Sequence, residues 1–248
     1  NYGRAEFTQT DAGDPVGVAA ARKGVSDLAG GAVISRKSKS IPGSNVQRYG
    51  ALLRKGTLTP EHVIHNKPYP AMLGDDPESG LAAFRSEYVG YFGRAEDADL
   101  TMLAPFPHWA LFEDGRCRSF GPNLKRASVS ADVADTTLEA MYYADQIGDW
   151  QGLGEQDLRD LEYWELEQAK LKRQKPASEL TGKIAVVSGA AAGIGQACAE
   201  VLFEKGAVVI GLDIDPSISE TMSKPGYEGL VLDLTDEAAV ANALAYVV

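Results

Sequence analysis

Residues 181–199, TGKIAVVSGAAAGIGQACA, constrain the fold more than any other stretch: a short apolar run, three glycines, then a switch to helical spacing. Ile184–Val187 has the length and apolarity of a strand covered on both faces of a sheet. Gly189, Gly193 and Gly195 follow in the frame GxxxGxG, and Ile194, Ala197, Cys198, Val201 and Leu202 then fall at helical intervals. A strand led into a helix through glycines exposes backbone N–H groups at the helix N-terminus, where the helix dipole favours a pyrophosphate. Glycine is needed there because a Cβ blocks the turn or holds phosphates off the backbone. Taken alone, the pattern also fits a tight strand-to-helix turn with no ligand.

The following residues add context. Ala207–Leu212 (AVVIGL) reads as a second buried strand that ends in Asp213, 18 residues beyond Gly195. A carboxylate at that place accepts hydrogen bonds from both ribose hydroxyls of an adenosine and repels a 2′-phosphate. Gly229–Leu232 (GLVL) reads as a third strand, closing on Asp233-Leu234-Thr235. A helix is predicted next, with Thr235 as N-cap, Asp236 and Glu237 in its first turn, and Val240, Ala241, Leu244, Val247 and Val248 on one face. This order is the first half of a Rossmann-type doubly wound parallel α/β sheet.

The segment SGAAAGIG, Ser188 to Gly195, resembles the cofactor fingerprint of the short-chain dehydrogenase/reductase family, usually TGxxxGIG; Ser188 keeps the hydroxyl of the usual threonine. The resemblance implies a cofactor site formed by Ser188, Gly189, Ala192, Gly193, Ile194 and Gly195. It also implies selection of NAD over NADP by Asp213 beside Ile214, and contacts from Asp233 and Leu234 to the adenine ring. In that family a tyrosine followed four residues later by a lysine is the general acid/base pair. No tyrosine of this chain has such a lysine, and no Asn-Asn-Ala-Gly segment occurs, so these 248 residues alone are expected not to transfer hydride.

Upstream the organisation is coarser. Helical spacing predicts helices near Val18–Leu28, over Leu81–Arg94, over Ser128–Ala144 and over Asp157–Lys172. Thr59-Pro60-Glu61 reads as a helix start or turn, and Pro68 and Pro70 force extended chain. Thr101–Ala104 and His108–Phe112 read as strand pieces, with a turn at Asp114-Gly115. A polar break at residues 172–178 puts a domain boundary near 177. The chain is therefore divided into 1–176 and 177–248, with an α+β remnant preceding the dinucleotide-type half-sheet.

Three segments before that boundary carry a second resemblance: LTPEHVIHNKPYP, FGPNLKRASVSADVADTTLEAMYYADQIGDW and DLRDLEYWELEQAKL. Followed by the glycine fingerprint, they look like the bifunctional class II aldolase/short-chain dehydrogenase family, of the rhamnulose-phosphate aldolase/alcohol dehydrogenase type. The resemblance implies an oxidoreductase acting with NAD on a small hydroxy compound or aldehyde from deoxysugar catabolism, including rhamnose metabolism, fused to a sugar-phosphate aldolase. The alternative is a non-catalytic NAD-sensing or scaffolding domain attached to a lyase. In that family zinc is held by an H-x-H pair and a later H-G segment; neither occurs here. The chain, which opens on Asn1 and ends within a predicted helix, is thus read as an internal fragment whose zinc site lies upstream. The family also implies a homo-oligomer in the full-length protein.

The remaining side chains narrow the choices. His62 and His65 stand one helical turn apart but lack a third histidine or clustered carboxylate, so no metal site is assigned. His65 and Lys67 read as surface, and His108 beside Trp109 as a satisfied core histidine. Tyr142, Tyr143, Trp150, Tyr163 and Trp164 are expected to pack between two helices and the dinucleotide domain. Cys198 is expected on a buried helix face and Cys117 in a polar stretch, with no disulfide frame and a reducing cytoplasm as the compartment. Residues 1–72 hold ten Lys and Arg against five Asp and Glu, and the remainder 14 against 30. That acidic body argues against nucleic acid as partner, and no apolar run is long enough to span a membrane. A small-molecule substrate is the expected partner.

Overall fold

The computed structural model describes residues 15–94, 100–166, 169 and 177–247, and contains two four-stranded sheets. The first sheet is built from β1 (Ile34–Ser38), β2 (Ala71–Leu73), β3 (Trp109–Phe112) and β4 (Cys117–Gly121), in the order β1-β4-β3-β2. β4 pairs antiparallel with β1 and β3, whereas β2 runs parallel to β3. The β3–β4 hairpin turns at Asp114-Gly115: Gly115 has φ +89°, its N–H donates to the Phe112 carbonyl at 2.9 Å, and Asp114 Oδ1 accepts from Arg116 N–H.

The helices that accompany this sheet include α1 (Pro15–Ala29), α2 (Val46–Leu53), α3 (Pro60–Asn66), α4 (Pro77–Gly93), α5 (Leu124–Ile147) and α6 (Glu155–Glu162). Their starts follow local chemistry. Pro60 and Pro77 sit in the first turns of α3 and α4, where a missing N–H costs nothing. Asp76 and Asn123 cap α4 and α5 by accepting from Glu78 N–H and Arg126 N–H. α5 includes the predicted Ser128–Ala144 and buries Ala127, Ala131, Ala134, Leu138 and Met141 at three- and four-residue spacing; Ala134, Leu138 and Met141 are on the face the spacing predicts, while Val129 and Val133 are only partly buried. Alternation along β3 feeds two cores. Ala110 and Phe112 join Val63, Leu81, Phe84, Tyr88, Tyr91, Leu158 and Tyr163; Trp109 and Leu111 join Tyr49, Leu53, Leu138, Met141 and Trp150.

The second sheet comprises β5 (Ile184–Ser188), β6 (Val208–Asp213), β7 (Ser223–Lys224) and β8 (Tyr227–Val231), in the order β5-β6-β8-β7. β5, β6 and β8 are parallel, and β7 is a short antiparallel edge. α7 (Gly193–Glu204) and α8 (Ile218–Thr221) cover one face through Ala199, Leu202, Phe203 and Ile218. α9 (Glu237–Val247) covers the other through Ala239, Val240 and Ala243, which meet Ile210, Leu212 and Leu232. Helices on both faces of a parallel sheet make this the predicted Rossmann-like arrangement.

Several expectations are corrected. Residues 101–104 form no strand; Met102 and Leu103 pack against the first core. α6 ends at Glu162 with a break at residues 163–164, whereas the prediction is one helix to Lys172; residues 165, 166 and 169 are again helical, and residues 167, 168 and 170–172 lie outside the described residues. Asp236, not Thr235, caps α9: its Oδ1 accepts from Ala238 and Ala239 N–H, while Thr235 donates to Asp233. The α9 face that packs is Ala239, Val240 and Ala243, and Leu244 is exposed; Val248 lies outside the described residues. On α7 the buried position is Ala199, so Ile194, Ala197, Cys198 and Val201 face outward. β5, an edge strand of the described sheet, is only half covered, with Val186 45% exposed. Cys117 is the buried cysteine and Cys198 the exposed one, the reverse of what the sequence suggests. Of the aromatic set, Trp150 and Tyr163 are buried within the first domain's two cores, while Tyr143 and Trp164 are exposed.

Candidate functional site

The C-terminal ends of β5, β6 and β8 lie side by side, and the sequence-marked residues sit on them. Ser188 pairs in register with Leu212, Asp213 with Val231, and Leu232 N–H donates to the Asp213 carbonyl at 2.7 Å. Ligands of open parallel sheets bind beyond such strand ends.

The glycine loop is shaped residue by residue. Gly189 (φ +65°) turns the chain out of β5, and its N–H donates to the Leu212 carbonyl at 2.8 Å. Ala190 is fully buried against Gly211, where a Cβ would strike Met222 and Ala190. Ala192, in extended conformation, precedes α7 without offering a side-chain cap, so the helix begins with uncapped N–H groups. Gly193 (φ +59°) has no heavy atom within 4 Å of the place a Cβ would take. Gly195 is the opposite case: a Cβ there would collide with the Gly189 carbonyl. The three glycines thus supply a turn, an open approach to backbone, and close packing of helix on strand. An open cavity of about 1180 Å³, lined by Arg36, Lys125, Val208, Lys224 and Gly226, lies beside the N-terminal ends of β6 and β8.

Asp213 faces the loop. Its Oδ2 accepts the Ala191 N–H and its Oδ1 the Asp215 N–H, each at 3.0 Å. These backbone donors, Ala191 first, hold its carboxyl below the ordinary aspartate range, so it is an anion at neutral pH. Asp233 is likewise held down by Thr235, whose N–H and hydroxyl donate to its Oδ1 at 2.9 and 2.8 Å. Ile214 and Leu234 stand exposed beside these acids, at 70% and 52%, and Ile194 is exposed at the start of α7. Between residues 184 and 223 the single Lys or Arg is Lys205, which pairs with Glu179 at 2.9 Å. The arrangement offers uncapped N–H groups to phosphates and a fixed anion to sugar hydroxyls.

Sequence reasoning missed a second constellation, deep in the first domain. Lys67, expected at the surface, is buried with φ +63°, and its Nζ lies 3.0 Å from Glu162 Oε1 and 2.6 Å from the Tyr88 hydroxyl. Tyr88 donates to Glu162 at 2.7 Å and stands 2.6 Å from the Tyr163 hydroxyl, which accepts from Leu103 N–H. Burial lowers the Lys67 ammonium and raises all three hydroxyls of Tyr88, Tyr91 and Tyr163. Both charged side chains are 1% exposed, so this is a closed internal tie rather than a substrate site. The one sequence signal available was Lys67 standing between a helix end and Pro68, which does not specify burial.

The histidines bind nothing in common. His62 Nδ1 meets Thr137 Oγ1 at 3.2 Å, and among the described residues no cluster of three or more His, Cys, Asp or Glu could hold a metal. His108 donates from Nδ1 to the His65 carbonyl, and desolvation drives its pKa down to about 3; it is a neutral, hydrogen-bonded imidazole, partly buried rather than in the core as expected.

Comparison with known proteins bears on both halves. The profile of the family described as aldolase class II, second domain, matches residues 18–171. The uncharacterized oxidoreductase YuxG of Bacillus subtilis is 28% identical over 213 residues, covering 78% of this chain and 31% of that protein. The 3-oxoacyl-[acyl-carrier-protein] reductase FabG of Pseudomonas aeruginosa is 46% identical over 74 residues, 27% of this chain and 30% of the reductase. A short chain dehydrogenase of Emericella variicolor, andC, is 42% identical over 65 residues, 26% of each chain. The chain therefore spans about a third of the length of the curated relatives it matches. No helix among the described residues is long and apolar enough to cross a membrane. By these matches the chain belongs to the class II aldolase second-domain family, and a C-terminal segment following that domain is similar to short-chain dehydrogenases.

Proposed function

We propose that the protein is an NAD-dependent short-chain oxidoreductase, joined at about residue 177 to a class II aldolase of sugar phosphates. In this reading the dinucleotide lies across the C-terminal ends of β5, β6 and β8. Its pyrophosphate rests on the N–H groups between Gly189 and Gly195, with Ser188, Ala192 and Ile194 lining the approach. The adenosine ribose meets Asp213 beside Ile214, and the adenine lies by Asp233 and Leu234. The single observation that carries the reading is the open space at Gly193 together with a carboxylate fixed at the end of the neighbouring strand. The fixed Asp213 carboxylate supports NAD over NADP, because it opposes the charge of a 2′-phosphate, and residues 206–223 around it in sequence hold no Lys or Arg.

The substrate class proposed is a small hydroxy compound or aldehyde from deoxysugar breakdown, handled in the cytoplasm by a homo-oligomer. These residues bind and orient the cofactor, while the proton donor comes from outside them, since no tyrosine here precedes a lysine by four. Titrating NADH and NADPH into the full protein tests the cofactor assignment. Saturable NADH binding, at least about tenfold tighter than NADPH, is the expected result given the charge opposing a 2′-phosphate. A preference for NADPH, or no saturable binding of either nucleotide, overturns it.

A further inference from the structure

Resting on the cofactor reading above, we propose that Asp213 also holds the glycine-rich loop, through its carboxylate, in the open shape before any dinucleotide arrives. The loop does not fix its own shape, because Gly189 and Gly193 both lie in the left-handed region, where glycine moves freely. Its first half is anchored by backbone alone, with Gly189 and Ala190 N–H donating to the Leu212 carbonyl at 2.8 and 3.4 Å. Beyond Ala190 and before α7, the tie to the neighbouring strand among the described residues is Asp213 Oδ2 accepting Ala191 N–H at 3.0 Å. Oδ1 is fixed in turn by Asp215 N–H at 3.0 Å, so the carboxylate cannot swing freely.

An ionised carboxylate accepts at about four lone-pair positions. The backbone N–H groups of Ala191, Asp215 and Ile214 bear on it, and the acceptor capacity that remains is open to ribose hydroxyls. Selection of the sugar and organisation of the phosphate cradle thus reside in one side chain. A neutral replacement removes the repulsion of a 2′-phosphate and the loop tether at once. Asp213→Ala is therefore expected to weaken NADH binding without giving full NADPH affinity.

Two neutral variants separate the two roles. Asp213→Asn and Asp213→Ala remove the same charge, but only asparagine keeps a carbonyl oxygen within reach of Ala191 N–H. In the full protein without nucleotide, amide exchange at Ala191 should rise in D213A and lie between D213A and the parent in D213N. Amides in the middle of α7 should be unchanged; a rise along β6 as well would mark loss of folding in D213A, and the near-isosteric D213N then decides. In titrations with NADPH, D213N should bind about 3- to 10-fold more tightly than D213A, the range one retained hydrogen bond confers. Unchanged exchange at Ala191 in both variants, or equal NADPH affinity of the two, overturns the proposal. Faster exchange at Ala191, with neither nucleotide binding the parent protein, upholds the tether and removes the cofactor reading instead.

Discussion

Lys67 and Gly193 have nearly the same backbone angle, φ +63° and +59°, and opposite surroundings. Above Gly193 there is empty space; around Lys67 the chain has packed a glutamate and three tyrosines. A left-handed backbone is strained for lysine and costs on the order of 1 kcal/mol or more. It persists at Lys67 because the side chain it directs inward completes a buried ion pair joining α3, α4 and α6. At Gly193 the same angle is free, and α7 begins there without a side-chain cap among the described residues. Polar groups that the protein closes on itself hold its fold, and polar groups left open are available to a ligand.

That contrast breaks if mutations in the two regions act alike. The largest effect is expected from Lys67→Met, which strands Glu162 as a buried charge and should lower stability by about 3–5 kcal/mol. Urea unfolding measures it, and a loss under about 1 kcal/mol would show that the ion pair does not hold these helices together. Next comes His108, whose folded pKa of about 3 lies below its ordinary 6.5. The unfolded chain then binds the proton more readily, so the stability from the neutral imidazole is full above pH 6.5 and lost as pH falls towards 3. Unfolding of His108→Gln across that range should show a shallower pH dependence than the parent; parallel curves contradict the assignment.

The open region should respond in affinity rather than stability. Gly193→Val fills the space above the backbone and strains the left-handed angle, and a loss of NADH affinity of about 100-fold is expected with unchanged helix content by circular dichroism. Affinity equal to the parent's would move the pyrophosphate elsewhere. The smallest effect is expected at Leu234, half exposed beside Asp233: Leu234→Ala should weaken NADH binding about 3-fold through lost apolar contact with adenine. A calorimetric titration reads it, and tighter binding would place the adenine away from β8.

Legibility followed how local the physics was. The glycine loop, the parallel strands and the long α5 were readable because turn chemistry, strand length and helical spacing are properties of neighbouring residues. The same locality made Ser188, Asp213 and Asp233 recognisable as strand-end residues. The α7 face was misread because apolar residues run around much of that helix, and packing on β5 and β6 chose Ala199, Leu202 and Phe203 from among them. Thr235 and Asp236 are both good caps, and one residue of register separated them. β4 was missed because Cys117-Arg118-Ser119 reads as polar, and its burial comes from pairing between β1 and β3. The Lys67–Glu162 tie joins residues 95 apart in the chain, and no spacing rule reaches that far.

The most direct test of the open cradle is to map backbone amide shifts on adding NADH to the protein. The shifts should centre on Gly189–Gly195, Asp213 and Asp233, and leave Lys67, His108 and Glu162 unmoved. Shifts confined to the aldolase-related domain, or none at Gly193 under saturating NADH, would contradict the account.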